Sequence, residues 1–519
     1  MNRLNTLSDA VATHARLSPS KLAVRDSRRS LNFAQWHERT DRLAAGLRAL
    51  GLEKGDRVAL LAYNCLEWME IYAALARAGL VAVPLNFRLT APEIAYIAEH
   101  SETRAFIVQD VLAAVVEPLR QSLGLEPGAW IGFGSEVPAG WTRYEQLIES
   151  APTDLDPVQV NPGDMSALMY TSGTTGRPKG AIRSHEGSTL IALATALEMG
   201  FTPNDTALLV MPMCHANSLY FSHTFVHLGA TCVIDDRRSF DPEALLATLA
   251  AEHVTFTSLV PTHYIMMLGL PESVKARYDV SAVEKLMISS APARKETKLA
   301  IMEFFRNGNL YELYGSTEAG WVTLLRPHEQ IERLGTVGRE WAGSGPIRLL
   351  DAQGREVPDG EVGELFSRTP YVFDGYWKNA EKTAEAFCGD WCSVGDMARR
   401  DADGYIHLVD RKSNMIISGG ENIYPSEVES ILGQHDKIKD VAVIGLPHDK
   451  WGEAVHAVVV LHNGQSLSET ELIDWCRGRM AGYKRPQSIR FVTDGDMPRT
   501  ATGKIMHRIL RDQMSVATA

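Results

Sequence analysis

The chain has 519 residues, 45% apolar and 22% charged, which is enough for two or three domains with separate cores. A net charge of −12 opposes broad attraction to nucleic acid or anionic membranes. No apolar stretch reaches the length of a bilayer span and Met1 to Asn5 lack a signal-peptide core, so the sequence predicts a cytoplasmic protein.

In chain order, the N-terminal stretch alternates helix-like and strand-like segments, with a helix at 41–50, a strand at 57–61, a helix at 68–77 and a strand at 80–84. Residues 164–346 repeat the alternation, with strands at 207–211, 230–234, 256–260 and 286–289. From 347 the texture changes to short strands (348–350, 364–367, 405–409) separated by turns such as Asp359-Gly360 and Asp403-Gly404. After a boundary near 411–413 come a helix at 426–432, strands at 441–445 and 455–461, and a helix at 469–479. The predicted fold is α/β, with a large N-terminal domain (1–411) of layered α/β subdomains and a β-rich part at about 347–411. A small α+β domain (412–519) follows. The scattered cysteines, among which only Cys388 and Cys392 are near neighbours, read as free thiols rather than zinc ligands.

The chemistry concentrates at residues 170–180, Tyr-Thr-Ser-Gly-Thr-Thr-Gly-Arg-Pro-Lys-Gly. Thr171, Ser172, Thr174 and Thr175 offer short donors, Gly173 and Gly176 let backbone N–H groups approach an anion, and Lys179 adds a mobile cation. An apolar run at 167–170 precedes this segment and a helical pattern at 188–199 follows it, so it reads as a phosphate cradle between strand and helix. The spacing differs from the common G-x-x-x-x-G-K-[ST] loop, which argues against an ordinary P-loop NTPase.

Further segments taken singly have ordinary readings. Tyr314-Gly315-Ser316-Thr317-Glu318 reads as a helix N-cap, and Asp396 after Gly395 as a turn aspartate. Arg411 is followed closely by Gly419-Gly420, and Lys504 in Pro498-Arg499-Thr500-Ala501-Thr502-Gly503-Lys504 reads as a solvated surface charge. Together, in this order and spacing, they resemble the AMP-forming acyl-CoA synthetases (fatty-acid and aryl-acid CoA ligases) of the acyl-adenylate-forming superfamily, over nearly the whole chain.

The resemblance implies two half-reactions: a carboxylate attacks the α-phosphate of Mg·ATP to give acyl-AMP and pyrophosphate, and coenzyme A then displaces AMP. It implies that Thr171, Ser172, Gly173, Thr174, Thr175, Gly176 and Lys179 hold the β- and γ-phosphates, and that Thr317 contacts the α-phosphate. Glu318 would hold Mg²⁺, Tyr314 with Gly315 would pack on adenine beside Ser290, Ala291 and Pro292, and Asp396 and Arg411 would bind ribose. Lys504 would bridge carboxylate and α-phosphate, and His215 would lie near the substrate carboxylate. The C-terminal domain of the family is mobile and presents a second face for thioester formation. On that face Gly419 and Gly420 would line the pantetheine tunnel, and Trp451, Lys484 and Arg485 would contact the coenzyme A nucleotide.

Two positions depart from the family pattern. Ser413 stands at the hinge position where Asp or Lys is usual, and Ser289-Ser290 precede Ala291-Pro292 where glycine is usual, which narrows the acyl pocket. The pocket segments 213–218 and 262–267 bring methionines and polar ends but no Arg or Lys for a second carboxylate. A medium-chain, alicyclic or aromatic monocarboxylic acid fits best. The alternatives are loading of a carrier-protein thiol, a catalytically inactive nucleotide-binding regulator, and luciferase-like oxidation. A homodimer is compatible with the family.

Overall fold

A computed structural model describes residues 6–152, 158–171, 178–289, 293–418, 421–499 and 505–518. The chain forms two compact units, Met1–Pro346 with Ser367–Cys392, and Ile347–Phe366 with Ser393–Ala519.

The first unit is built on two sheets. In the seven-stranded sheet, Arg57–Leu61 runs parallel to Val81–Leu85 and to Thr103–Gln109, with Met165–Thr171 beyond Val81–Leu85 and Lys179–Ser184 at the edge. The nine-stranded sheet carries Thr206–Leu209, Phe256–Leu259, Lys285–Ser289 and Asn309–Ser316 as parallel neighbours, followed by antiparallel Gly320–Leu325. Val58, Leu60, Val81 and Val83 are fully buried, which explains why these strands read as continuous apolar runs.

Helices Glu67–Ala78, His185–Met199 and Ala216–Leu228 contribute to one core that draws on both sheets. Ala216–Leu228 buries Leu219, Tyr220, Phe221, Phe225 and Val226 together with Ser222, His223 and Thr224, so it is enclosed on all sides. Each such aromatic contributes about 2–3 kcal/mol. Phe221 and Phe225 sit 4.7 and 5.7 Å from Phe256 between ring centres, which locks the helix against the strand that leads to the acyl-pocket segment.

The second unit contains a four-stranded antiparallel sheet, Arg348–Leu350, Val362–Phe366, Asp396–Arg400 and Ile406–Arg411. Its five-stranded sheet is organised by the hairpin of Ile438–His448 with Gly452–Leu461. Side chains alternate along that hairpin. Val441, Val443, Val455, Ala457 and Val459 pack against Val428, Leu432 and Leu472 on one face. Ala442, Ile444, Val458 and Val460 pack against Leu510 and Met514 on the other. The α/β expectation with a smaller α+β C-terminal part is met. No helix among the described residues is long and apolar enough to cross a membrane.

Of the elements absent from the sequence reading, one bears on the site. The cradle leads from Met165–Thr171 into a second strand, Lys179–Ser184, and only then into the helix His185–Met199. A buried arginine, Arg183, interrupts the apolar pattern there and hides the strand.

Candidate active site

Two hairpins of the first unit bring the predicted phosphate and metal residues together. In the first, Thr171 pairs with Lys179. In the second, Ser316 pairs with Gly320, so Thr317, Glu318 and Ala319 form the turn between strands. The strand thus runs through Tyr314 and Gly315 to Ser316, and the Ser316 hydroxyl accepts from Ala319 N at 2.9 Å. It closes a hairpin turn where a helix cap was the ordinary reading. Two glycines are required here: a Cβ on Gly315 would meet Gly320 O at 2.3 Å, and Gly320 has φ +72° with Tyr371 Cδ2 2.5 Å from its Cβ position.

Glu318 is the focus of the arrangement. The Thr171 hydroxyl donates to its Oε1 at 3.2 Å and the Tyr376 hydroxyl at 2.9 Å. Lys179 Nζ lies 4.0 Å from the Tyr376 ring centre, a cation–π contact. Burial lowers the pKa of this lysine, and the charge of Glu318 opposes the drop. A hydroxyl, an ammonium, a buried carboxylate and a phenol therefore converge. Tyr376 was missed in the sequence, where it is one aromatic in the run 371–377; only its bridge to Ala181, beside the cradle strand, marks it.

Magnesium fits this site. Mg²⁺ entering with a triphosphate takes one or two protein carboxylates and leaves its remaining positions to phosphate oxygens and water. Glu318 supplies one carboxylate, and the Thr171 and Tyr376 hydroxyls both donate to its Oε1. Among the described residues no group of three or more His, Cys, Asp or Glu side chains could hold an ion by itself.

His215 stands at the N-cap position of Ala216–Leu228 without a side-chain cap bond, and its Nε2 lies 3.4 Å from Asn86 Nδ2. Burial, then the nearby Arg88 charge, lowers its pKa, which keeps the imidazole neutral at pH 7. Asn86 and Arg88 follow a strand that gave no functional signal in the sequence. Two residues beyond His215, Asn217 Nδ2 donates to Ser258 Oγ and Ser289 Oγ, both at 2.9 Å. Its Oδ1 is buried with no hydrogen-bond partner among the described residues. The methionines expected in the pocket do not behave as a group: Met267 is fully buried in the core and Met266 is exposed.

In the second unit Asp396 and Arg411 face each other on neighbouring strands, and Arg411 Nε reaches Asp396 Oδ1 at 2.7 Å. Ser413 lies in the turn closed by Asn414 N donating to Arg411 O at 2.9 Å. Gly452 pairs with Ser418, so Trp451-Gly452 is brought beside the strand that leads to Gly419. Trp451 is exposed, with Lys450 Nζ 4.5 Å from its ring centre. Lys484, at the end of a 3-10 turn, is engaged by Glu427, and that bond raises its pKa; Arg485 follows it directly. Ser172, Gly173, Thr174, Thr175, Gly176, Ser290, Ala291, Pro292, Gly419, Gly420 and Lys504 lie outside the described residues.

The family model for AMP-binding enzymes matches residues 11–377, and that for the AMP-binding enzyme C-terminal domain matches 427–504. A feruloyl-CoA synthase of an Amycolatopsis species is 39% identical over 495 residues, 95% of this chain and 96% of the relative. An indoleacetate–CoA ligase of Aromatoleum aromaticum is 34% identical over 504 residues, 96% of each chain. The crystal structure of the anthranilate CoA ligase AuaEII with anthranoyl-AMP superposes with a TM-score of 0.87 at 28% identity, over 100% of this chain and 99% of that one. The chain belongs to the AMP-binding enzymes, the acyl-adenylate-forming ligases that activate a carboxylic acid with Mg·ATP as acyl-AMP and convert it to a coenzyme A thioester.

Proposed function

We propose that the acid is an aromatic monocarboxylate bearing a hydrogen-bond donor on its ring, within the wider set of medium-chain, alicyclic and aromatic acids. The observation that carries this reading is the buried Asn217 Oδ1, without a hydrogen-bond partner among the described residues while its Nδ2 donates to Ser258 and Ser289. An unsatisfied buried acceptor is costly, and a substrate hydroxyl or amine relieves it. Similarity to a feruloyl-CoA synthase and an indoleacetate–CoA ligase supports the same class.

The residue roles carry over position by position. Thr171, Lys179 and the cradle residues neutralise the β- and γ-phosphates, Thr317 donates to the α-phosphate, and Glu318 holds the metal that enters with ATP. Tyr314 packs on adenine, and Asp396 and Arg411 take the ribose hydroxyls. Lys504 brings the acid carboxylate to the α-phosphate, and neutral His215 donates to that carboxylate. No protein nucleophile is needed; positioning and charge neutralisation perform the chemistry. Residues 412–519 act as the mobile domain turning at Ser413, with Gly419, Gly420, Trp451, Lys484 and Arg485 toward coenzyme A. Free thiols suit a cytoplasmic setting, and a homodimer is compatible with the family.

The test is pyrophosphate release with Mg·ATP across fatty, alicyclic, benzoic, cinnamic and dicarboxylic acids, with and without coenzyme A. A steady rate that needs coenzyme A and peaks for hydroxylated aryl acids supports the reading. Asn217→Leu should reduce the preference for hydroxylated over unsubstituted rings roughly tenfold. Release limited to one equivalent points to a carrier-protein acceptor, and no release with any acid points to a nucleotide-binding regulator.

A further inference from the structure

Arg183 is 1% exposed, and no carboxylate among the described residues pairs with it. Its guanidinium is directed instead at main-chain oxygens. Nη1 donates to Thr317 O at 3.3 Å and to Glu318 O at 3.2 Å, and Nη2 donates to Tyr371 O at 2.6 Å. The guanidinium carbon lies 5.4 Å from the Tyr220 ring centre, on the enclosed helix Ala216–Leu228. Behind it is a cavity of about 20 Å³, also lined by Tyr72, His185 and His223. Arg183 Nε, Tyr72 OH and His185 Nε2 have no hydrogen-bond partner among the described residues, and a space this size holds about one water molecule.

A buried cation with no carboxylate in ion-pair contact among the described residues is expensive, even with the Asp374 charge acting on it from further away, so its retention needs a reason. Its contacts supply one. Along a strand alternate residues share a face, so Lys179, Ala181 and Arg183 point the same way. Lys179 thereby meets the Tyr376 ring while Arg183, four residues on, grips the turn that carries Thr317 and Glu318. Phe373 N also donates to Glu318 O, at 2.7 Å, so the same carbonyl is held from two segments. Tyr371, Phe373 and Tyr376 belong to one short stretch, and Tyr376 returns to the Glu318 carboxylate. Arg183 therefore ties the cradle strand, the Glu318 turn and the 371–376 segment together at their backbones. A lysine has one point charge where this geometry uses two arms of a planar fork.

We propose that Arg183 is a positioning residue for the metal carboxylate: it fixes the backbone of the Thr317-Glu318 turn so that Glu318 meets the magnesium brought by ATP. This rests on the reading of Glu318 as that carboxylate. Loss of such a supporting contact typically costs roughly 10–100-fold in metal affinity or activity.

The experiment compares the wild-type enzyme with Arg183→Lys, Arg183→Met, Glu318→Gln and the Arg183→Met/Glu318→Gln pair. It measures acid-dependent pyrophosphate release as magnesium is titrated, and conversion of synthetic acyl-AMP to thioester, a step without triphosphate. The expected result is a roughly 10–100-fold loss of adenylation in Arg183→Met with the magnesium midpoint shifted upward. Arg183→Lys should recover part of that loss, acyl-AMP conversion should persist, and the pair should be no worse than Glu318→Gln alone. Equal loss of both half-reactions, an unmoved magnesium midpoint, or additive losses in the pair would overturn the proposal. If Glu318→Gln itself keeps full magnesium-dependent adenylation, the reading of Glu318 falls and the Arg183 result is judged apart from it. Arg183→Lys serves as the folded comparison should Arg183→Met fail to fold.

Discussion

The cations beside Glu318 in the first unit and the lysine pairs of the second are held in opposite ways. In the first, Arg183 is buried and spends its donors on backbone carbonyls, and Lys179 sits half-buried over a phenol ring. In the second, Lys484–Glu427, Lys412–Glu364 and Lys439–Asp494 are ion pairs whose lysines are 26–57% exposed. Fixed donors in a dry setting cost no reorganisation during reaction and are worth more than donors in water. Solvated pairs are screened and exchange partners cheaply. The difference matches the division of labour in a two-step ligase. On the proposed residue roles, the phosphate end needs a rigid frame, and the unit proposed to face coenzyme A needs charges that can be released.

The largest effect should come from Lys504→Ala. If that lysine bridges carboxylate and α-phosphate, its removal costs about 3–4 kcal/mol in the adenylation transition state. Conversion of synthetic acyl-AMP to thioester should survive. Loss of both steps together would break the assignment of one lysine to one half-reaction.

Next comes the frame itself. Gly320→Ala places a Cβ 2.5 Å from Tyr371 Cδ2 on a backbone with φ +72°. Overpacking and backbone strain together should cost about 3 kcal/mol, read as a lower midpoint in thermal or urea unfolding. If the frame account is right, adenylation should fall more than stability alone explains. An unchanged magnesium response would show that the turn tolerates movement.

Much of this was legible in the sequence, for reasons that differ by region. The strands at 57–61 and 348–350 were read within their observed bounds because a buried run and a turn-bounded run each carry their own signal. The strand Lys179–Ser184 was not, because a buried arginine in a strand looks like a loop charge until its carbonyl partners are known. The Thr317-Glu318 turn was found by motif, while the segment taken alone reads as a helix cap, since Ser316 closes a hairpin turn with the same chemistry. Tyr376 and Asn86 meet their partners far away in the chain, so no spacing rule reports them; Asn217 fell inside the expected pocket segment, but its contacts with Ser258 and Ser289 are equally distant.

The C-terminal helix offers a smaller, pH-dependent effect. His507, three residues after Lys504, has Nε2 2.7 Å from Glu429 Oε1, while Val443 N donates to the same oxygen at 2.7 Å. Burial alone would lower the His507 pKa; the bond and charge of Glu429, with Asp410 and the Ile505 backbone, outweigh it and raise the value. A raised pKa means the protonated pair stabilises the fold fully below the unfolded value of about 6.5. That contribution is lost as pH rises through the folded pKa. His507→Lys should keep the pair charged, so stability measured by urea unfolding should no longer decline across that window. An identical decline in the variant would mean that another group sets it.

The smallest effect should be at Lys484, and it sharpens the contrast most directly. The Lys484 and Glu427 side chains are 26% and 39% exposed, so their pairing contributes below about 1 kcal/mol to stability. Lys484→Ala should leave the unfolding midpoint nearly unchanged and leave adenylation intact. It should raise the KM for coenzyme A severalfold at low salt, with the difference shrinking as ionic strength rises because the charge meets its ligand in water. Glu427→Gln should act in the opposite direction by freeing the ammonium, lowering that KM. If both substitutions raise the KM, the pair itself shapes the coenzyme A surface, and the second unit is less open to exchange than its exposed charges imply.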